Sequence, residues 1–323
     1  MAQLHSAVIG TGMMGPGIAI SMALAGHRAT LYGRTEASLA RGIAAVRAGL
    51  ALLVNEEVIT HQAADAARAA IRGSTDLADA VGGTEIVFES IAEDLAAKQE
   101  LLGRVEPLCS AQTILASNTS GIPITEIAAH LEHPERAVTA HFWNPPHLMP
   151  LVDIVKGAKT SDETVATVRA LMLEIGKKPV VVLKDVPGQL GNRLLHAVNR
   201  EAFSIVEQGI ASAEDVDTAI KYGPGLRFPV YGPLEHTDVV GVDLALAVHT
   251  IITPALCSEP RPVALLRDMA ARGDLGVKSG RGFYDWSTRD ANQVKATRDK
   301  FLVDRLKERL RASAPAREEG AER

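Results

Sequence analysis

The residues with the clearest chemical use are three glycines near the start of the chain. Gly10, Gly12 and Gly15 form a GxGxxG run that follows the apolar stretch Ser6 to Ile9 and opens a helical pattern reaching Ala25. In a chain with 27 glycines the spacing alone is a weak signal, and its place between a strand and a helix carries the reading. There it would bring backbone amides and the positive end of a helix dipole to a pyrophosphate, with Met13 and Met14 completing the dinucleotide-contacting loop. A dinucleotide fold usually presents an acidic side chain to the adenosine ribose at the end of its second strand. Here that place holds Gly33, followed by Arg34. A guanidinium suits a 2′-phosphate better than a 2′-hydroxyl, so the cofactor is expected to be NAD(P), with a lean to NADP.

Such groups need a scaffold. The 323 residues are 46% hydrophobic and 23% charged, which suits about two globular domains and excludes disorder as the main state. A net charge of −5 leaves no global positive field for nucleic acid or an anionic membrane. Cys109 and Cys257 lack CxxC spacing, so neither a disulfide framework nor a thiolate cluster is expected; both read as buried small apolar residues in a reducing cytoplasm. His130, Glu132 and His133 lie together without a further ligand at a supporting spacing and read as a polar helix end, with no metal expected. The uncharged run Ala7 to Gly26 is interrupted by glycines and Pro16 and follows no basic segment. It reads as neither a membrane span nor a signal peptide, and the chain as cytoplasmic.

Strands are expected at Ser6 to Ile9, Arg28 to Tyr32, Glu85 to Phe88, Thr113 to Ala116, Ala137 to His141, Leu151 to Val155 and Pro179 to Leu183. Helical patterns fill the gaps, including a helical excursion from Glu36 to Ile71 with no strong strand. After Leu183 the β-rich runs stop, and helices are expected at Gly191 to Glu207, Ala213 to Lys221, Val242 to Leu256, Pro262 to Ala271 and Gln293 to Leu310. The pattern predicts an α/β Rossmann-type N-terminal domain with a parallel-rich sheet (residues 1–186), an all-α C-terminal domain (187–311) and a disordered tail (312–323). In the last helix Phe301, Val303, Leu306 and Leu310 share a face, read as packing on its own helical domain or on a second copy.

The glycine loop, FESIAEDLAAK from Phe88, ILASNTSG from Ile114, AHFWNPPHLMPLVDIV from Ala140, and the later GNRLL and GRGFYDW together resemble the 3-hydroxyacyl-CoA dehydrogenase family from about Ser6 to Trp286. The resemblance implies His141 as catalytic base, paired with an acidic residue twelve positions on. That residue is Asp153, one methylene shorter than the family's glutamate, which leaves direct contact or a bridging water open. A neutral imidazole at a strand's C-terminal end suits removal of an alcohol proton while hydride leaves for a nicotinamide. The resemblance also implies Ser120 and Asn192 as binders of the substrate oxygen, Asn144 at the substrate, and Asn118 beside the nicotinamide. It further puts Glu93 and Lys98 near the cofactor's ribose and nicotinamide, and implies a homodimer through the helical domain. Hydroxyl and amide donors of this kind can hold an alkoxide-like oxygen as it becomes a carbonyl. No GxSxG loop accompanies Ser120, so a serine nucleophile is not expected.

Acyl-CoA members of the family carry lysines in the helical excursion that meet the CoA phosphates. Leu50 to Val58 has none here, and carries Glu56 and Glu57 instead. Gly223 to Glu235 resembles the branch containing L-gulonate 3-dehydrogenase (lambda-crystallin) and carnitine dehydrogenase, which act on free carboxylic acids. Arg227 in that stretch suits bidentate binding of a carboxylate. The expected function is therefore NAD(P)-dependent oxidation of the 3-hydroxyl of a small L-3-hydroxy acid that is not CoA-linked. An L-3-hydroxyacyl-CoA dehydrogenase is the alternative, and a crystallin-like structural or cofactor-binding protein is the reading from another class.

Overall fold

The computed structural model describes residues 3–313. Short runs rich in branched apolar residues, together with one edge strand that lacks such a run, form one eight-stranded sheet. The strands are β1 (His5–Ile9), β2 (Arg28–Tyr32), β3 (Ile71–Ser74), β4 (Ile86–Glu89), β5 (Ile114–Ser117), β6 (Ala137–Phe142), β7 (Leu151–Val155) and β8 (Lys178–Val182). Their order across the sheet is β3-β2-β1-β4-β5-β6-β7-β8. Every neighbouring pair is parallel except β6 with β7, which are antiparallel and bring His141 directly opposite Asp153.

The two-residue period of β1 sends Val8 to one face of the sheet and Ala7 and Ile9 to the other. On the first face pack α1 (Gly15–Leu24), α2 (Glu36–Asn55) and α3 (His61–Ala70), through Ile18, Met22, Val46, Leu50, Leu53 and Ala67. On the second lie α4 (Leu77–Val81), α5 (Leu95–Val105) and α6 (Ile124–Ile127). The first face also receives α7 (Asp162–Glu174), through Val168, Leu171 and Met172. Among the described residues α2 is the one helix long and apolar enough to cross a membrane by length and composition, yet Val46, Leu50 and Leu53 are part of this core.

The expected helical excursion resolves into α2 and α3, each capped by a threonine, Thr35 and Thr60. It ends in β3, a strand missing from the sequence expectation. Arg72 and Gly73 are exposed in this edge strand, so it lacks a hydrophobic pattern of its own and is fixed by its pairing with β2. Both cysteines are half-buried rather than fully buried, and burial pushes the Cys109 thiol up to about 11.

The chain divides into two compact units, one of residues up to 192 together with the stretch from 297 onward, the other of residues 193–296. The second unit is helical: the greater part of α8 (Gly191–Glu207), then α9 (Ala213–Tyr222), α10 (Pro224–Arg227), α11 (Pro233–Val240), α12 (Val242–Ile252) and α13 (Ala264–Arg272). Glu201 and Glu207 tie it together by accepting the Cys257 and Leu265 amides, and the Phe203 and Phe283 rings stack at 5.5 Å.

The last helix, α14 (Ala291–Ser313), departs from the expected division of residues 187–311. Its Leu302, Val303 and Leu306 belong to the core on the first sheet face, with Val303 fully buried, whereas Phe301 and Leu310 are exposed. From Thr297 onward the helix belongs to the sheet-bearing unit, while its first residues, 291–296, belong to the helical unit. Ala312 and Ser313 continue it, and the remainder of the expected tail lies outside the described residues.

Val303→Asp should therefore lower the unfolding free energy by about 3 kcal/mol or more, because it buries a carboxylate with no partner in this core. Denaturant unfolding followed through the sheet-bearing unit checks this; a loss below about 0.5 kcal/mol, the range of ordinary surface substitutions, would contradict the packing.

Candidate active site

A cleft of about 850 Å³ opens along the sheet edge where β1, β2, β4, β5 and β6 end, and all of its lining residues lie in the first unit. Its first part is the turn from β1 into α1. Gly10 has φ +124°, and a Cβ there would lie 2.3 Å from the Ser90 carbonyl oxygen. A Cβ on Gly15 would lie 1.9 Å from the Gly10 carbonyl oxygen, so the close approach of helix to strand requires glycine. Gly12 faces open space. The α1 N-terminus has no side-chain cap and no acidic residue in its first turn, whereas α2, α3, α4, α5 and α7 all carry capping side chains. Its amides are left for an anion at the cleft, which is what a pyrophosphate requires. The residues present fit a dinucleotide.

Met13 and Met14 line the cleft beside the glycines, as do Gly33 and Arg34 after β2. Arg34 is exposed, and on α2 Ser38 and Arg41 join it on the cleft wall. Arg41 was missed by the sequence reading. Ser38 and Arg41 stand three apart on one helix and so share a face, a spacing that could have revealed it.

The second part is held by carboxylates. Glu89, at the end of β4, is fully buried and accepts hydrogen bonds from the Ile91 amide (2.8 Å), the Lys98 ammonium (2.8 and 3.0 Å) and the Ser117 hydroxyl (2.5 Å). Lys98 therefore lies behind the cleft wall, fully buried and paired with Glu89, rather than at the cofactor as expected. Glu93 does line the cleft, and its Oε1 accepts from the Thr119 hydroxyl (2.6 Å) and the Ser120 and Gly121 amides (2.9 Å each). Burial alone would raise the Glu93 carboxyl; the Thr119 hydroxyl, Lys98 and the two amides outweigh it and hold the group below its ordinary value. The SNTS segment is thus pinned from beneath. Asn118 accepts the Phe142 amide at 2.7 Å, tying the ends of β5 and β6, and the Asn192 amide group donates to the Ser120 carbonyl at 2.7 Å. Asn118, Ser120, Asn144 and Asn192 all reach the cleft.

The third part is an imidazole and its partner. His141 lines the cleft at the end of β6, with Nδ1 3.1 Å from Asp153 Oδ2. The contact is direct, and no water or strand shift is needed despite the shorter acid, because the two residues face each other in the β6–β7 register. Asp153 is fully buried and also accepts from the Trp143 indole N–H at 3.0 Å and, at 3.4 Å, from the Gly191 amide. Burial would raise its carboxyl, but the bonds from His141 and Trp143, the charge on His141 and the Gly191 amide hold it below its ordinary value. Asp153 as acceptor makes Nδ1 the protonated ring nitrogen, which leaves Nε2 as the free lone pair. Trp143 was also missed; it stands two residues after His141, and the two-residue strand period could have placed it on the same side.

Arg227 lies apart from these residues in sequence, at the end of α10 in the second unit. It is exposed, and its guanidinium makes no hydrogen bond or ion pair among the described residues. No group of three or more His, Cys, Asp and Glu side chains fit to hold a metal ion occurs among the described residues.

A glycine-cradled helix start and a proton-transfer pair at one end of a mostly parallel sheet define a dinucleotide-binding oxidoreductase. Comparison with known proteins narrows the class. Residues 5–186 match the NAD binding domain of 3-hydroxyacyl-CoA dehydrogenase and residues 188–286 its C-terminal domain, and the chain belongs to the 3-hydroxyacyl-CoA dehydrogenase family. It is 35% identical over 297 residues to 5-formyl-3-hydroxy-2-methylpyridine 4-carboxylate 5-dehydrogenase of Mesorhizobium japonicum, covering 92% of this chain and 95% of that one. A crystal structure of a 5-dehydrogenase for the same pyridine carboxylic acid, described as an NAD+ dependent dismutase, superposes with a TM-score of 0.87 at 34% identity, covering 94% and 97% of the two chains. The crystal structure of (S)-3-hydroxybutyryl-CoA dehydrogenase from Ralstonia eutropha gives 0.74 at 36% identity, covering 88% and 99%. The chain is thus an oxidoreductase that acts on CH–OH groups with a nicotinamide cofactor.

Lys98→Met would strand the Glu89 carboxylate without its counter-ion. We expect a loss of about 3–5 kcal/mol of stability at neutral pH, measured by denaturant unfolding, and a change below about 1 kcal/mol would contradict the ion pair's place in the scaffold.

Proposed function

We propose that the chain oxidises the 3-hydroxyl of a small, free L-3-hydroxy acid, with His141 as base and Asp153 as its orienting partner. The observation that carries this is the direct His141–Asp153 contact on the wall of a cleft that also holds the glycine cradle. A bound dinucleotide supplies the hydride acceptor at its nicotinamide. His141 Nε2 takes the hydroxyl proton, and Asp153 stabilises the resulting imidazolium through Nδ1. The Ser120 hydroxyl makes no hydrogen bond within the described chain and is free to hold the substrate oxygen, while Asn192 fixes the Ser120 backbone and keeps a second amide hydrogen for the same task. Asn144 completes the polar wall. In reduction the same histidine returns the proton.

Three observations favour a free acid over a CoA thioester. The α2 C-terminal stretch carries no lysine, and the lysines that α14 brings there, Lys300 and Lys307, face the Glu56 carboxylate at 3.8 Å each. The solved structure with the TM-score of 0.87 is named for a pyridine carboxylate, whereas the one at 0.74 is named for a CoA ester. Arg227, whose guanidinium has no partner among the described residues, is our candidate for the substrate carboxylate, because its planar fork suits bidentate binding. The acyl-CoA reading is the alternative. We also propose a homodimer through the second unit, where Leu234, Val239, Val242, Leu246 and Ile251 are each more than 60% exposed.

A screen of small hydroxy acids beside 3-hydroxybutyryl-CoA, followed by cofactor reduction, tests the reading. We expect turnover of a free acid, a fall of about 100- to 10,000-fold in kcat for His141→Gln with dinucleotide affinity unchanged, and a higher KM for Arg227→Met. Full activity in His141→Gln would remove the histidine from the mechanism. Efficient turnover of the thioester with indifference to Arg227 would restore the acyl-CoA reading.

The cofactor lean has its own test. Arg34 and Arg41 on one wall are proposed to accept a 2′-phosphate, so NADP should bind at least as well as NAD. Fluorescence titration should show that Arg34→Ala and Arg41→Ala each weaken NADPH about tenfold or more and leave NADH nearly unchanged. A wild-type preference for NADH that ignores both arginines would refute it.

A further inference from the structure

We propose that Trp143 is a positioning residue for the proton transfer: its indole N–H occupies the carboxylate oxygen that also holds His141, and so limits how strongly Asp153 pulls on the imidazole. The proposal rests on the reading of His141 as the base. Trp143 Nε1 lies 3.0 Å from Asp153 Oδ2, and His141 Nδ1 lies 3.1 Å from the same atom. Among the described residues the other oxygen, Oδ1, has only the Gly191 amide at 3.4 Å. One oxygen of a carboxylate with no access to water therefore serves two N–H donors, and each donor draws on charge the other would otherwise receive.

The surroundings are built to keep the indole there. A Cβ on Gly191 would lie 2.5 Å from Trp143 Cζ2, so the bare α-carbon at the start of α8 makes room for the six-membered ring. The indole is tilted against the imidazole with centroids 5.8 Å apart, and it forms part of the cleft wall. The charged group bonded to His141 is Asp153 on β7. The loop after β5 brings the neutral Asn118 and Ser120, and its anionic neighbour Glu93 is engaged by Thr119, Ser120 and Gly121. The start of α8 brings Gly191 and the neutral Asn192. Lys177, before β8, approaches the ring of the adjacent Phe142 at 5.9 Å and bonds the Pro146 and Met149 carbonyls. On this arrangement His141 and Trp143 compete for the same acceptor, Asp153 Oδ2.

The direction comes from the charges. Without the indole N–H, Asp153 carries its negative charge with one donor fewer, the imidazolium form of His141 gains a stronger partner, and the histidine titrates at higher pH. The test is nuclear magnetic resonance titration of isotope-labelled histidine in the full-length protein without substrate, with the His141 signal assigned by its loss in His141→Gln. Two replacements separate hydrogen bonding from shape: Trp143→Phe, and benzothienylalanine at the same position, which keeps the bicyclic outline without the N–H. Both should raise the His141 midpoint by about one pH unit. An unmoved or lowered midpoint in either overturns the proposal, and a shift in Trp143→Phe alone assigns the effect to shape and overturns it as well. Failure of the base reading is distinguishable, because it would appear as turnover surviving in His141→Gln.

Discussion

A carboxylate without access to water has to be met by donors on every side, and the donors that meet Glu89 come from different parts of the chain. They are the Ile91 amide just past β4, the Lys98 ammonium from α5 and the Ser117 hydroxyl at the end of β5. Each bond is charge-assisted, and losing any of them would leave charge buried in an apolar sheet. The ends of β4 and β5 and the start of α5 are therefore held as one piece. Glu93 extends the arrangement outward, sharing Lys98 and gripping the SNTS segment by two backbone amides and a hydroxyl. The polar wall of the cleft inherits its positions from this buried charge.

The reacting pair obeys a second constraint, the reversal of direction at β7. In an all-parallel sheet the neighbour of His141 would be reached only after a crossover; here the antiparallel β6–β7 pair puts Asp153 across from it after a short loop. That loop carries Trp143 and Asn144 on the cleft side and is held from the opposite side by Lys177, which bonds the Pro146 and Met149 carbonyls. The site is thus preorganised by backbone register and by buried charge, the two devices that fix polar groups without relying on loop packing.

Much of this was legible in the sequence because it rests on local rules. The glycine loop, the seven strands with strong apolar runs, and the helices after Leu183 derive from periodicity and punctuation, and the structure moves their ends by only a few residues. The family resemblance added His141, Asp153 and the asparagines. What escaped were features fixed by distant partners. β3 has no apolar pattern and exists through β2. Lys98 looked like a cofactor contact because nothing in one dimension shows that Glu89 stands beneath it. Arg41 and Trp143 were within reach of simple spacing arguments, but their significance depends on Arg34 and Asp153 being near in space. For the last helix the apolar face holds for Val303 and Leu306 but not for Phe301 and Leu310, and its neighbour escaped because that face joins a core made by residues more than a hundred positions earlier.

That last contact bears on how the molecule is assembled. Val303 closes a core whose other members, such as Val8, Ile18 and Phe88, are made first. As the chain leaves the ribosome, the sheet can form while its first face still lacks that cover, and the helical segment of residues 193–296 emerges in the interval. Such long-range closure is slow and exposes apolar surface in the meantime. The sheet-bearing unit therefore reaches its complete form only after residues 297–313 have been synthesised, and a nascent chain stalled before them presents chaperones with an uncovered strip near the end of α2.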